Sequence, residues 1–163
     1  MKASKLSLLA LSVTLAMILS FVESQIPALV AIPGVKVGLA NIVVVFALYK
    51  LGWKEAAVIS LTRVFLVGLL FGNGVSMLYS VVGAIVSFAA MVLLKRAKVF
   101  SYTAVSVAGG VLHNMGQIGM ACILMGTDVL KYYAPFLVLS GTLAGVVIGL
   151  LAAIMVKRID VKY

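Results

Sequence analysis

Few side chains in this 163-residue sequence could do chemistry, and most of them are embedded in apolar runs. Arg63 stands in ISLTRVFLVGLLF, and His113, Asn114 and Gln117 stand in GGVLHNMGQIGMA. Glu23 ends one apolar stretch, Asn41 interrupts another, and Lys36, Asn73 and Tyr79 flank the same runs. A guanidinium is permanently charged and presents a planar fork of donors that matches a carboxylate or phosphate. His113 and Gln117 are four residues apart, so a helix would place both on one face. These groups recognise a polar solute by ion pairing and hydrogen bonding. Lys36 and Arg63, with His113 in its protonated form, set against Glu23, suit a ligand with an anionic or hydrogen-bonding part. Tyr79 suits a flatter or greasier part.

Other chemistries lack their residues. The only histidine is His113, the only cysteine is Cys122, and the acids are Glu23, Glu55, Asp128 and Asp160. That set does not make a zinc site, a disulfide, or a Ser/His/Asp arrangement. A magnesium-diphosphate site needs clustered carboxylates, and these four are far apart in sequence. No P-loop motif occurs, so ATP would not be bound that way. The chain is therefore expected to be no enzyme by itself and to hold no cofactor or metal.

The elements that must position these groups follow from composition. Hydrophobic residues make up 64% and charged residues 10%, with a mean hydropathy of +1.27. A water-soluble surface needs more charge than that, so the solvent is lipid. Six runs approach the roughly 20 apolar residues of a spanning helix, at 6–22, 35–49, 56–71, 75–94, 102–125 and 133–156. The second is short, and it spans only if Lys36 and Lys50 snorkel to the interfaces or the helix sits in a thinned or protein-lined region. The expectation is one all-α membrane domain, a six-helix bundle over 1–163. The N-terminus resembles a signal peptide but lacks a good small-x-small cleavage site, and is read as an uncleaved first helix.

Charge sets the orientation. The net charge is +9, but the basic residues fall in short clusters between apolar runs, not on a continuous face with interleaved aromatics. That pattern excludes nucleic acid and fits loops against anionic lipid. With six spans and the N-terminus inside, ten of the thirteen Lys and Arg residues are cytoplasmic, Lys36 and Lys131 are outside, and Arg63 is within a span. Both termini are thus expected in the cytoplasm, in a multi-pass protein of the cell membrane.

On this topology the polar groups run from the midplane to the outer face. They predict a cavity opening outward, closed below by apolar packing. Structural readings stand beside this one. Arg63 could pair with Glu23 or with helix-end carbonyls, and His113, Asn114 and Gln117 could make interhelical hydrogen bonds of about 0.6 kcal/mol each. Gly109, Gly110, Gly116 and Gly119 are read as close-packing positions. Ser12, Ala16 and Ser20 form a small-residue stripe on the first helix, available to the chain's own bundle or to a partner subunit.

Three stretches carry a family resemblance: ESQIPALVAIPGVKVGLANIVVVFAL at 23–48, the Arg63 span leading to FGNG at 71–74, and GGVLHNMGQIGMA at 109–121. They resemble the Gx transporter family, whose members are also described as heptaprenyl diphosphate synthase component I. The family is similar to the substrate-binding S-components of energy-coupling-factor (ECF) importers. That resemblance implies six helices with both termini inside and a small vitamin- or precursor-like solute held near the outer face. It also implies docking, partly through the first helix, onto a membrane coupling subunit with two ATPases. The Ser12/Ala16/Ser20 stripe departs from the alanine-based pattern typical there. The component I description implies the alternative, a non-catalytic membrane partner in polyprenyl diphosphate synthesis.

Overall fold

The computed structural model describes residues 3–25, 38–72 and 74–160. These form six α-helices and one short 3-10 helix: α1 (Ala3–Gln25), α2 (Asn41–Lys50), α3 (Trp53–Phe71), α4 (Gly74–Ala97), α5 (Tyr102–Met125), the 3-10 turn Val129–Tyr133, and α6 (Ala134–Arg158). Lys36 and Asn73, and the loop containing Pro27 and Pro33, lie outside the described residues.

The boundaries have local causes. At the start of α5 the Ser101 hydroxyl accepts the Ala104 N–H at 3.1 Å, a side-chain N-cap. Gly126, at φ +61, ends the same helix in the left-handed conformation. Both ends coincide with the expected 102–125.

The second element differs from expectation. A helix over 35–49 was expected, but the described helix begins only at Asn41. Gly38 takes φ +78, and the Asn41 N–H donates to its carbonyl at 2.8 Å, closing a turn that cannot continue as helix upstream. Ten residues make about 15 Å of helix, half of a hydrocarbon core of about 30 Å. What α2 lacks in length it offsets by burial, because Val43 to Leu48 are all buried in succession. A helix apolar on every side belongs in the interior, and α2 supplies five of the twelve buried residues of the main apolar cluster.

The other helices surround it. α1 lies against α3, α3 against α4, α4 against α5 and α5 against α6, while α2 touches α1, α3 and α6 and closes the circuit. Four helices are long and apolar enough to cross a membrane, at Lys5–Glu23, Gly74–Ala97, Tyr102–Met125 and Lys131–Arg158. Large apolar side chains such as Leu11, Leu93, Ile123 and Leu143 face outward on them, as lipid-facing residues do. The chain is thus a helical, multi-pass membrane-type protein.

Helix separation is set by glycine. A Cβ on Gly145 would stand 2.5 Å from the Val107 Cα, and one on Gly149 2.6 Å from the Thr103 Cα. Gly141, Gly145 and Gly149 therefore form the seam of α6 against α5. Gly83 and Gly116 play the same part between α4 and α5, where a Cβ on Gly116 would meet the Gly83 Cα at 2.9 Å. Of the glycines expected to pack closely, Gly109, Gly110 and Gly116 do, and Gly119 has open space.

One end of the bundle gathers the basic clusters. Lys5 pairs with Glu55 at 2.5 Å, joining α1 to α3, and Lys50 reaches Asp160 at 3.5 Å. Lys95 donates to the Leu48 carbonyl, one of the carbonyls that α2 leaves unpaired at its C-terminus. Tyr49 meets Tyr102 edge-on at 4.5 Å beside them.

Candidate functional site

Toward the opposite end, the six helices enclose a cavity of about 450 Å³. Small-molecule sites commonly measure about 300–1,000 Å³. Every helix contributes to its wall, so it exists only in the assembled bundle.

Arg63 lies about halfway along α3 and points into this cavity with only 8% of its surface exposed. Its Nε is buried and has no hydrogen-bond partner among the described residues. Glu23, at the C-terminal end of α1 and also buried, acts on it electrostatically, but the two form no ion pair. The Glu23 carboxylate is engaged elsewhere: its Oε1 accepts the N–H of Gly38, which fixes the turn leading into α2. The pairing of Arg63 with Glu23 that the sequence allowed is therefore absent, and both residues stand separately on the cavity wall.

On α5 the three polar residues divide their work. Asn114 is buried, and its Nδ2 donates to the Leu137 carbonyl at 2.9 Å and more weakly to the Ser140 Oγ at 3.5 Å. It borders the cavity, yet its donors are committed to holding α5 against α6. His113 and Gln117 lie together against Gly83 of α4, where a Cβ would touch both side chains. Their four-residue spacing puts them on one face, as expected, and that face lines the cavity. Asn41 joins them from the first turn of α2, beside Gly38 and Ile148.

Of the nine residues expected at the site, Glu23, Asn41, Arg63, His113, Asn114 and Gln117 border the cavity, while Lys36 and Asn73 lie outside the described residues. Tyr79 is half-buried but is not on the wall; Ser76 and Ser80, one turn apart on α4, take that face instead. The α1 stripe is absorbed by the chain itself, since Ser12 and Ala16 are buried and Ser20 borders the cavity. It is not an exposed docking face.

Ser106, Gly141 and Gly145 are wall residues that the sequence did not single out. For Ser106 a signal exists: 106, 110, 113 and 117 follow the 4-3-4 spacing of a single helix face. The floor is apolar, with Ile148 on the wall and Val105 and Ala152 buried beyond it. Among the described residues, no three His, Cys, Asp or Glu side chains come close enough to hold a metal ion.

The arrangement can bind an acceptor at Arg63 and hydrogen-bond a polar edge through Asn41, His113 and Gln117. Comparison with known proteins places the chain in a family. No curated protein and no solved structure matches it. A family model described as heptaprenyl diphosphate synthase component I matches residues 12–155, which include every described residue of the cavity wall. The chain belongs to the heptaprenyl diphosphate synthase component I family.

Proposed function

We propose that this protein is the substrate-capture membrane subunit of an ATP-driven importer of the ECF type. In this reading one domain crosses the cell membrane with both termini in the cytoplasm, six helices acting as spans and short α2 shielded by its neighbours. The basic end, with Lys50, Lys54, Lys95, Arg96, Lys157 and Arg158, then faces the cytoplasm under the positive-inside rule, and the cavity faces outward.

One observation carries the proposal: a buried arginine, Arg63, whose Nε has no hydrogen-bond partner among the described residues, on the wall of a cavity built by all six helices. A buried charged donor left unpaired costs several kcal/mol, so a site that retains one is arranged for a ligand that arrives later. The chain itself is taken to be non-catalytic. Its partners are a membrane coupling subunit and two ATPases, which supply the energy that a passive capture subunit lacks.

The family description favours a second reading, a non-catalytic membrane component associated with heptaprenyl diphosphate synthesis. Native mass spectrometry of the gently purified protein separates the two. A co-purified small molecule that disappears in Arg63→Ala, together with coupling and ATPase subunits, is expected for capture. An empty cavity and a co-purified soluble prenyl synthase would replace capture with the second reading.

A further inference from the structure

A second hollow, of about 460 Å³, lies on the outside of the bundle at the end of α5 remote from the basic clusters. α5 supplies Ile118, Gly119, Cys122 and Ile123 to it, and the turn beyond Gly126 supplies Asp128 and Lys131. Gly126 reverses the chain, and the Thr127 N–H returns to the Cys122 carbonyl at 3.3 Å, which folds the 3-10 turn back against α5. From Gly126 to Gly119 the hollow follows α5 for roughly 10 Å at about 1.5 Å per residue.

Two kinds of surface meet in it. The α5 part is apolar and belongs to a helix able to cross a membrane. Ile123 there is 75% exposed, and a Cβ on Gly119 would meet no described atom within 4 Å. In a bilayer the molecule beside such a surface is a lipid, and packing into a hollow is what distinguishes a seated chain from a bulk one. The rim is charged. Asp128 and Lys131 pair at 2.5 Å, yet their side chains are 80% and 65% exposed, so both stay open to a third group. A carboxylate accepts several donors, and an ammonium has three N–H groups to give. A headgroup carrying ammonium and phosphate can therefore place the first on Asp128 and the second on Lys131, while its chain lies against Gly119. Tyr132 and Tyr133, both exposed, follow directly and suit the headgroup level of a membrane.

We infer that this hollow is a phospholipid site, seating one acyl chain against Gly119 and a primary-ammonium headgroup, of the phosphatidylethanolamine kind, on Asp128 and Lys131. Asp128 decides the headgroup: phosphatidylglycerol brings no ammonium to it, and the trimethylated ammonium of phosphatidylcholine has no N–H to donate. The site shares no described wall residue with the cavity, so it stands whether or not the cavity captures a solute.

Native mass spectrometry of the full chain in detergent tests this, with phosphatidylethanolamine, phosphatidylglycerol and phosphatidylcholine of identical chains titrated separately. Gly119→Leu fills the hollow from a position with open space around it, and Asp128→Asn removes the carboxylate from a side chain that caps no helix. The native protein is expected to bind phosphatidylethanolamine about fivefold tighter than the other two, the scale of one exposed charge contact. Gly119→Leu should weaken all three lipids, and Asp128→Asn should level phosphatidylethanolamine with phosphatidylcholine. Unchanged thermal midpoints establish that the variants are folded, and Gly119→Val replaces Gly119→Leu if that variant is not. Lipid binding unaffected by filling the hollow would show only a non-specific lipid shell and overturn the site. Native binding of phosphatidylglycerol or phosphatidylcholine at the level of phosphatidylethanolamine would overturn the headgroup assignment.

Discussion

Whether Arg63 is structural glue or a ligand anchor is decided by stability measured without ligand. The informative perturbation is the double variant Glu23→Gln with Arg63→Met, which removes both buried charges and keeps side-chain volumes close. Removing a buried guanidinium whose Nε has no hydrogen-bond partner among the described residues recovers a desolvation cost of several kcal/mol. Against that stands the lost attraction to Glu23, which is below the roughly 4 kcal/mol of unit charges about 4 Å apart at an effective dielectric of about 20, because the two form no ion pair. In the single Arg63→Met variant these terms nearly cancel, because Glu23 is left buried without a cation. In the double variant the carboxylate's own desolvation cost is recovered too, while the amide keeps the Gly38 contact. Exchange of buried charges for apolar or neutral groups then yields a net gain of about 1–3 kcal/mol. For a chain of this length that is a rise of about 3–9 °C in the thermal midpoint. The assay is unfolding in detergent followed by helical circular dichroism, beside a binding measurement that should read zero. A double variant that unfolds more than about 5 °C below the native protein, a loss of about 2 kcal/mol, would show that these charges hold the fold together, and would refute the reasoning.

Three other expectations follow from the geometry. Gly145→Ala should destabilise the protein by about 1–3 kcal/mol, because its Cβ would lie 2.5 Å from the backbone of Val107 and must force α6 from α5; an unchanged thermal midpoint would contradict this. Asn114→Leu should cost about 0.6–1.7 kcal/mol through loss of the bond to the Leu137 carbonyl, and an unchanged thermal midpoint would contradict this. Glu55, just before the apolar part of α3, is held below the usual carboxylate range, first by the hydrogen bond from Lys5 and then by a backbone N–H. A lowered folded pKa contributes stability above the unfolded value and loses it as pH falls through the folded one, so native and Glu55→Gln midpoints should converge on acidification from about pH 7 to about pH 3. The pair is half-buried yet reaches water, so the difference at neutral pH should be about 1 kcal/mol, and a gap that persists at low pH would refute the assignment.

The amino-acid sequence by itself determined the class of the protein and most of its helices. Long apolar runs admit only lipid as solvent, and their edges at 56–71, 102–125 and 133–156 lie within a few residues of α3, α5 and α6 because charge clusters, Ser101 and Gly126 punctuate them. The candidate site was legible in part for a related reason: polar side chains are expensive in apolar segments, so Arg63, His113 and Gln117 stood out. Helix periodicity could align residues within one helix, and it placed His113 beside Gln117, but it does not say which helices meet. Only the tertiary structure decided that Glu23 bonds to the Gly38 N–H and that the Arg63 Nε has no hydrogen-bond partner among the described residues. The fold likewise committed Asn114 to α6, turned the Ser12/Ala16/Ser20 stripe inward, and used Ser76 and Ser80 in place of Tyr79. It also shortened α2, since a single positive φ at Gly38 ends a helix that hydropathy alone would continue. The outcomes between helices depend on how close two helices come, and that separation is fixed by glycines such as Gly83 and Gly145, whose missing side chains carry no periodic hydrophobic signal.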